Sequence, residues 1–173
     1  RNAVCASDDD LYVGRARHSS SVTPGSIRTR ACFVTWGGRM HRKREFQVLC
    51  RRDAQWVKCW QGAVPLHALP GGETEDGYAL FVGRVLDDGT YYVGKVEPHR
   101  QHCFIALDGE EVGFEQYEVL VINDDPPGYI GDSTNTAPEC SRFDSNFRSG
   151  RLSRATDCNL SRNECRNYPL CTT

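Results

Sequence analysis

"LYVGRA" at residues 11–16 returns as "LFVGRV" at 80–85, and that repetition decides how the whole chain reads. Around it further segments return in the same order. "TPGS" (23–26) answers to "YVGK" (92–95), "ACFVTWGG" (31–38) to "HCFIALDG" (102–109), and "EFQVL" (45–49) to "QYEVL" (116–120). The offset is 69 residues at the first two places and 71 at the last two. Ordered matches at a steady offset mark a duplicated unit. The apolar runs are short, rich in β-branched and aromatic residues, and bounded by Gly, Pro, Asp and Ser. No window keeps a helical period, so the runs read as strands, with "DDGT" (87–90) as a hairpin turn. The expectation is an all-β fold of two tandem pseudo-symmetric antiparallel β repeats, over 1–52 and 53–121, packed as a pair of small sheets or a sandwich.

The repeats differ where they begin. The second opens with "QWVKCWQGAVPLHALPGG" (55–72), whereas the first starts at "RNAVC" and matches only "HALP". The strand that Trp56–Trp60 supplies to repeat two has no counterpart in repeat one. This predicts an exposed sheet edge, open to completion by a tail of the same chain or of a neighbour. From residue 122 the composition changes to Ser, Asn, Arg and Asp without Lys. Four cysteines (140, 158, 165, 171) then predict a Cys-rich, loop-rich C-terminal extension over 122–173.

Nine cysteines against one methionine point to an oxidising, extracellular setting, and the sequon "NLS" makes Asn159 a glycosylation candidate. No stretch has the ~20 apolar residues of a membrane span. With no initiator Met and no signal peptide, Arg1 reads as the end of a processed or trimmed chain. An odd cysteine number leaves at least one thiol for burial or for a second molecule. Cys50 and Cys59, flanking the repeat junction, are a candidate local disulfide, and Cys32 and Cys103 are candidate core residues at equivalent strand positions. The net charge of −2 conceals a division: residues 1–52 carry eleven cations against four acids, and residues 54–121 the reverse, four against eleven. Opposite fields on two copies of one fold attract within a chain or between chains, which makes a homo-oligomer or filament one expected partnership.

Laid out in this way, the repeat resembles the DM-nine repeat family. "VPLHALPGGETEDGYALFVGRVLDDGTYYVGKVEPH" (64–99) with "GEE" and "QYEVL" (109–120) looks like one full unit, and "NAV", "DLYVGRARH", "TPG", "WGG" and "EFQVL" look like a second. The resemblance implies an antiparallel β architecture and a lectin-like, mannose-binding role in innate recognition. It also covers natterin-like toxins, where the unit is fused to a pore-forming module that is not visible here. In the mannose-binding members an acid in the loop before "LF.GR" and the Lys of "PGK" grip sugar hydroxyls. Such a pairing is sound chemistry, since a carboxylate accepts hydroxyl hydrogens while an ammonium donates to their oxygens. Carried over, the lysine is Lys95, and the acid position falls on Thr74, with Glu73, Glu75 or Asp76 as substitutes. In repeat one the lysine position is Ser26 and the acid position falls near Cys5, before Asp8, Asp9 and Asp10, so that copy does not keep the site. The carbohydrate-binding candidates are therefore Lys95, Glu73, Thr74 and Asp76.

Other clusters carry less. "GRMHRKRE" (38–45) fits an acidic partner, sulfated glycans, nucleic-acid phosphates or a solvated loop, and the nearest acidic candidate is repeat two itself. Strand alternation would split its charges between two faces. His99, His102 and Cys103 lack a fourth ligand and strand-compatible spacing for a metal, and "DDD" (8–10) lacks a calcium loop. Trp36, Trp56 and Trp60 are expected in core or edge packing. No nucleophile elbow, phosphate-cradling loop or metal triad is present, so no enzyme activity, cofactor or nucleic-acid partner is expected. The expected function is a secreted lectin-like protein with a partly degenerate site. The alternative is a disulfide-linked extracellular structural protein that has lost sugar binding.

Overall fold

The computed structural model describes residues 3–7, 10–50, 54–122 and 140–141. The predicted C-terminal extension, apart from residues 122 and 140–141, and Asn159, Asp8 and Asp9 lie outside the described residues. Among those described there is no α-helix. The strands of the first half are β1 (Tyr12–His18), β2 (Ser21–Arg28), β3 (Ala31–Trp36), β4 (Arg39–Lys43) and β5 (Gln47–Val48). Then come β6 (Ala54–Trp60), β7 (Val64–Pro65), β8 (Pro70–Glu73), β9 (Ala79–Asp87), β10 (Thr90–Glu97), β11 (His102–Leu107), β12 (Glu110–Phe114), β13 (Gln116–Ile122) and β14 (Cys140–Ser141).

The pairing frame follows the repeated letters. Gly14 faces Gly25 in β1–β2 as Gly83 faces Gly94 in β9–β10. Gly25 faces Val34 as Gly94 faces Ile105, and Gly14 faces Val48 as Gly83 faces Val119. Two hairpins of the second half close through two-residue turns with left-handed backbone. Asp88 (φ 44°) and Gly89 (φ 75°) form the turn expected at "DDGT", and Asp108 (φ 50°) with Gly109 (φ 88°) forms its counterpart at "LDGE". Such turns match the right-handed twist of the strands they join. Gly94 has a second reason to be glycine: a Cβ there would collide with the Phe104 carbonyl on the adjacent strand.

The two halves do not form separate sheets or a sandwich. β4 pairs β12 through Arg39 and Glu110, and β8 pairs both β2, through Val22 and Glu73, and β9. The path β2–β3–β4–β12–β11–β10–β9–β8 therefore returns to β2 as a β-barrel. Closure removes most unpaired edges, which two small sheets would have left open. The core follows the same union. Leu11 and Val13 of the first half pack with Val82, Val93 and Leu120 of the second. Fully buried Val and Leu side chains of this kind each contribute roughly 1.5–3 kcal/mol.

At the outer margin β6 covers β13 from Gln116 to Ile122, and among the described residues no strand covers β5. The N-terminal segment takes the place predicted from "HALP": Ala3 bridges Cys50 as Ala68 bridges Val121. The described part of the C-terminal tail does not complete the β5 edge. Cys140–Ser141 pairs instead with Val64–Pro65 of β7.

The Cys50–Cys59 disulfide is not formed. The Cys50 thiol donates to the Val48 carbonyl at 3.9 Å, and the buried Cys59 is disulfide-bonded elsewhere. Cys32 and Cys103 are fully buried thiols, and burial pushes the Cys32 thiol up to about 12 and raises that of Cys103 as well. Since the thiolate is the reactive form, iodoacetamide at neutral pH is expected to modify the exposed Cys5 and to spare Cys32 and Cys103 until the chain unfolds. Peptide mapping after native labelling checks this; early modification of Cys32 or Cys103 would contradict their burial.

Candidate functional site

Alternation along β10 points Lys95 and Glu97 to the same face of the sheet. The register carries that face across β11 to β12, where Phe104 faces Lys95 and Gly113 faces Phe104. Glu111, two residues before Gly113, comes to the same face. The Lys95 ammonium consequently lies between two carboxylates, 2.7 Å from Glu97 Oε1 and 2.9 Å from Glu111 Oε1. All three side chains are covered, at 6, 5 and 4 % exposure for Lys95, Glu97 and Glu111. The Glu111 contact is an ion pair rather than a well-aligned hydrogen bond, because its Oε1 makes no hydrogen bond of good geometry. Its other oxygen accepts from the Gly38 amide at 2.9 Å. Burial pushes the Glu111 carboxyl up, but the Lys95 ammonium, the Gly38 amide and the Thr35 hydroxyl outweigh burial and hold it below its ordinary value.

Lys95 and Glu97 form part of the wall of a cleft of about 230 Å³ between the two halves. The first half contributes Ser21, Thr23, Trp36 and Gly37, and the 74–78 turn contributes Thr74, Asp76 and Tyr78. That turn is held by its own bonds. Thr74 Oγ1 accepts from the Tyr78 amide at 3.0 Å, and the Thr74 amide donates to the Tyr78 carbonyl at 2.9 Å. The Tyr78 ring lies 5.0 Å from the ring of His99, and His99 Nε2 lies 3.7 Å from Glu97. An ammonium, carboxylates, hydroxyls and aromatic faces converge on one concave surface. This set donates to and accepts from adjacent hydroxyls while offering rings to the apolar face of a ligand.

Of the residues singled out in the sequence, Lys95, Thr74 and Asp76 line this cleft together with the substitute Glu75. Glu73 does not. It pairs with Val22 and lines a second, larger cleft, since strand alternation at β8 turns it away from its neighbour Thr74. Sequence reasoning missed Glu97, Glu111 and Trp36. Glu97 was recoverable from the "KVE" spacing on a strand, and Glu111 from continuing the register through the Asp108–Gly109 turn. Trp36, expected in packing, is 36 % exposed on the cleft, 5.1 Å from the ring of His18. It comes from the other half, which no local pattern announces.

Repeat one has no equivalent of this arrangement. Ser26 stands where repeat two has Lys95, Arg28 where it has Glu97, and Met40 where it has Glu111. Arg28 instead donates to the Tyr91 carbonyl at 3.0 Å. The histidines near Cys103 do not converge either: His102 Nδ1 contacts the Arg100 carbonyl at 2.7 Å while Cys103 is buried. No group of three or more His, Cys, Asp or Glu among the described residues is placed to hold a metal ion. Asp10 of the "DDD" run accepts from the Tyr12 hydroxyl at 3.3 Å. His18 packs 3.9 Å from the His41 ring; burial first, then the charges of His41 and Lys43, lower its pKa.

The model of the DM9 repeat matches residues 6–114. Natterin-3 of Thalassophryne nattereri is 30 % identical over 105 residues, 58 % of this chain and 26 % of that protein, so the chain spans about a quarter of this curated relative. Among solved structures, the nematode sperm cell motility protein MFP2B superposes with a TM-score of 0.52 at 19 % identity. The match covers 73 % of this chain and 40 % of that one, a likeness of fold.

Proposed function

Because the chain belongs to the DM9 repeat family, we propose that it is a secreted, lectin-like tandem-repeat protein that binds mannose-type sugars in the cleft beside Lys95. The observation that carries this reading is the placement of Lys95 between Glu97 and Glu111 on a wall that also includes Trp36. An ammonium has three donors, and a carboxylate has lone pairs beyond those one lysine occupies. Two adjacent hydroxyls of a hexose fit that pattern: one oxygen accepts from Lys95, and the neighbouring hydroxyl donates to Glu97. Thr74, Asp76 and Tyr78 offer further contacts, and Trp36 offers a face for the ring hydrogens. Holding the cation in place beforehand lowers the ordering cost of binding. Extracellular location is supported by the nine cysteines.

In this reading the positive charge at the site comes from lysine rather than a metal, which makes a specific expectation. Calorimetric titration with methyl α-mannoside and with mannan should show saturable heat that EDTA leaves unchanged. Mannan should bind more tightly per chain through repeated contacts. Absence of heat with both sugars, or its loss on adding EDTA, would remove the proposal.

A further inference from the structure

The second cleft, about 700 Å³ against 230 Å³ for the first, takes Val22 of β2 where the first takes Ser21 and Thr23, and is lined by Arg15, Arg17, Arg42, Lys43 and Arg44. Strand alternation was expected to split the "HRKR" run. It does separate His41, which joins His18 and Trp36. β4 ends at Lys43, however, and the chain turns there, so Arg42, Lys43 and Arg44 all reach the same cleft. The floor follows from register: Arg17 of β1 faces Val22 of β2, and Val22 faces Glu73 of β8, forming one row across three strands. Arg17, Arg42 and Arg44 are exposed, and no carboxylate among the described residues lies within ion-pair distance of them.

We infer that this cleft is a second binding site, for a sulfated or carboxylated polysaccharide. The clustered cations supply the attraction to anionic groups, most strongly through the planar guanidinium forks. The accompanying residues decide between polyanions. Glu45, Glu73 and Gln47 stand in the same lining. Carboxylates repel an evenly charged DNA strand, whose backbone has no hydroxyl donors. On an acidic glycan they accept from the hydroxyls that lie between its sulfate or carboxylate groups. Phe46 and Val22 add apolar surface for ring hydrogens. The site stands apart from the Lys95 cleft and does not depend on it.

The test uses the full chain, a fluorescent heparin decasaccharide, and a thymidine oligonucleotide of matched charge, followed by anisotropy at about 0.15 M salt. The heparin probe is expected to bind with strong salt dependence, more tightly than the oligonucleotide, and excess mannan is expected not to displace it. Arg17→Gln, Arg42→Gln and Arg44→Gln together should weaken it roughly ten- to hundredfold with an unchanged melting temperature. The corresponding triple lysine variant should recover part of the affinity. No heparin binding, equal or tighter binding of the oligonucleotide, displacement by mannan, or indifference to the triple Gln variant would each overturn the proposal. A salt-labile dimer that the same substitutions dissolve, without glycan binding, would reassign the cleft to a second copy of the chain and overturn it too.

Discussion

Replacing Lys95 by Met is expected to abolish mannan binding and to destabilise the fold by about 3–5 kcal/mol, the range for removing one partner of a buried ion pair. Glu97 and Glu111 are almost fully covered and would lose the cation they share. The pH dependence should weaken as well. In the natural protein the Glu111 carboxyl is held below its ordinary value of 4.5. The unfolded chain therefore takes up that proton first as the pH falls. The contribution to stability is complete above 4.5 and is lost as pH drops through the depressed folded value. Without Lys95 the carboxyl loses its strongest lowering influence, and its folded value moves upward from that of the natural protein. The variant should then lose less stability than the natural protein as the pH falls. A triple variant, Lys95→Met with Glu97→Gln and Glu111→Gln, removes the stranded charges and should recover most of the lost stability while still failing to bind mannan. Urea unfolding across pH checks the first part, and calorimetry the second. A single variant as stable as the natural protein, or a triple variant that still binds, would show that the cluster does not act as described.

What the sequence discloses here depends on the range over which the determining interaction acts. The hairpin at Asp88–Gly89 was legible because Asp-Gly is a pair that a left-handed two-residue turn favours. The strand pattern was legible because the apolar runs are short and bounded by turn residues; the register that sets Gly83 opposite Gly94 and Gly14 opposite Gly25 came only with the structure. Barrel closure was not legible. It rests on Arg39 facing Glu110 and Val22 facing Glu73, pairs far apart in sequence that no local rule selects. The site divides along the same line. Lys95 stood out through a motif, and Glu97 lies two residues further along one strand. Trp36 reaches the cleft only because the barrel brings the β3–β4 turn of one half against the β9–β10 sheet of the other. Glu73 was misplaced because a loop position was inferred where the chain is a strand, and one residue of strand reverses the direction of a side chain.

The arginine that ends the repeated phrase should cost more in the second copy than in the first. Arg84 lies between the rings of Trp56 and Tyr91, its guanidinium carbon 4.5 and 4.2 Å from their centroids. Its Nε donates to Glu118 Oε2 at 2.5 Å, and its other arm donates to the Ala6 carbonyl. The side chains of Arg84 and Glu118 are only 15 and 20 % exposed. One planar cation thus joins β6, β9, β10 and β13 to the N-terminal segment of the other half. Arg15, its counterpart in the first copy, meets the neutral Gln47 at 2.7 Å. No strand among the described residues supplies β5 with an equivalent of Trp56. Arg84→Ala leaves a half-buried carboxylate and two unfilled ring faces, for an expected loss of about 3–4 kcal/mol. Arg84→Lys keeps the charge but neither the fork nor the flat face, and should still lose about 2 kcal/mol. Arg15→Ala should cost less than Arg84→Ala, because Arg15 does not join the two halves through a pair of ring faces as Arg84 does. Urea unfolding of the three variants decides the matter. Equal losses at Arg84 and Arg15, or a harmless Arg84→Lys, would mean that the arginine serves the repeat as a local strand residue and not as the fastener of the two halves.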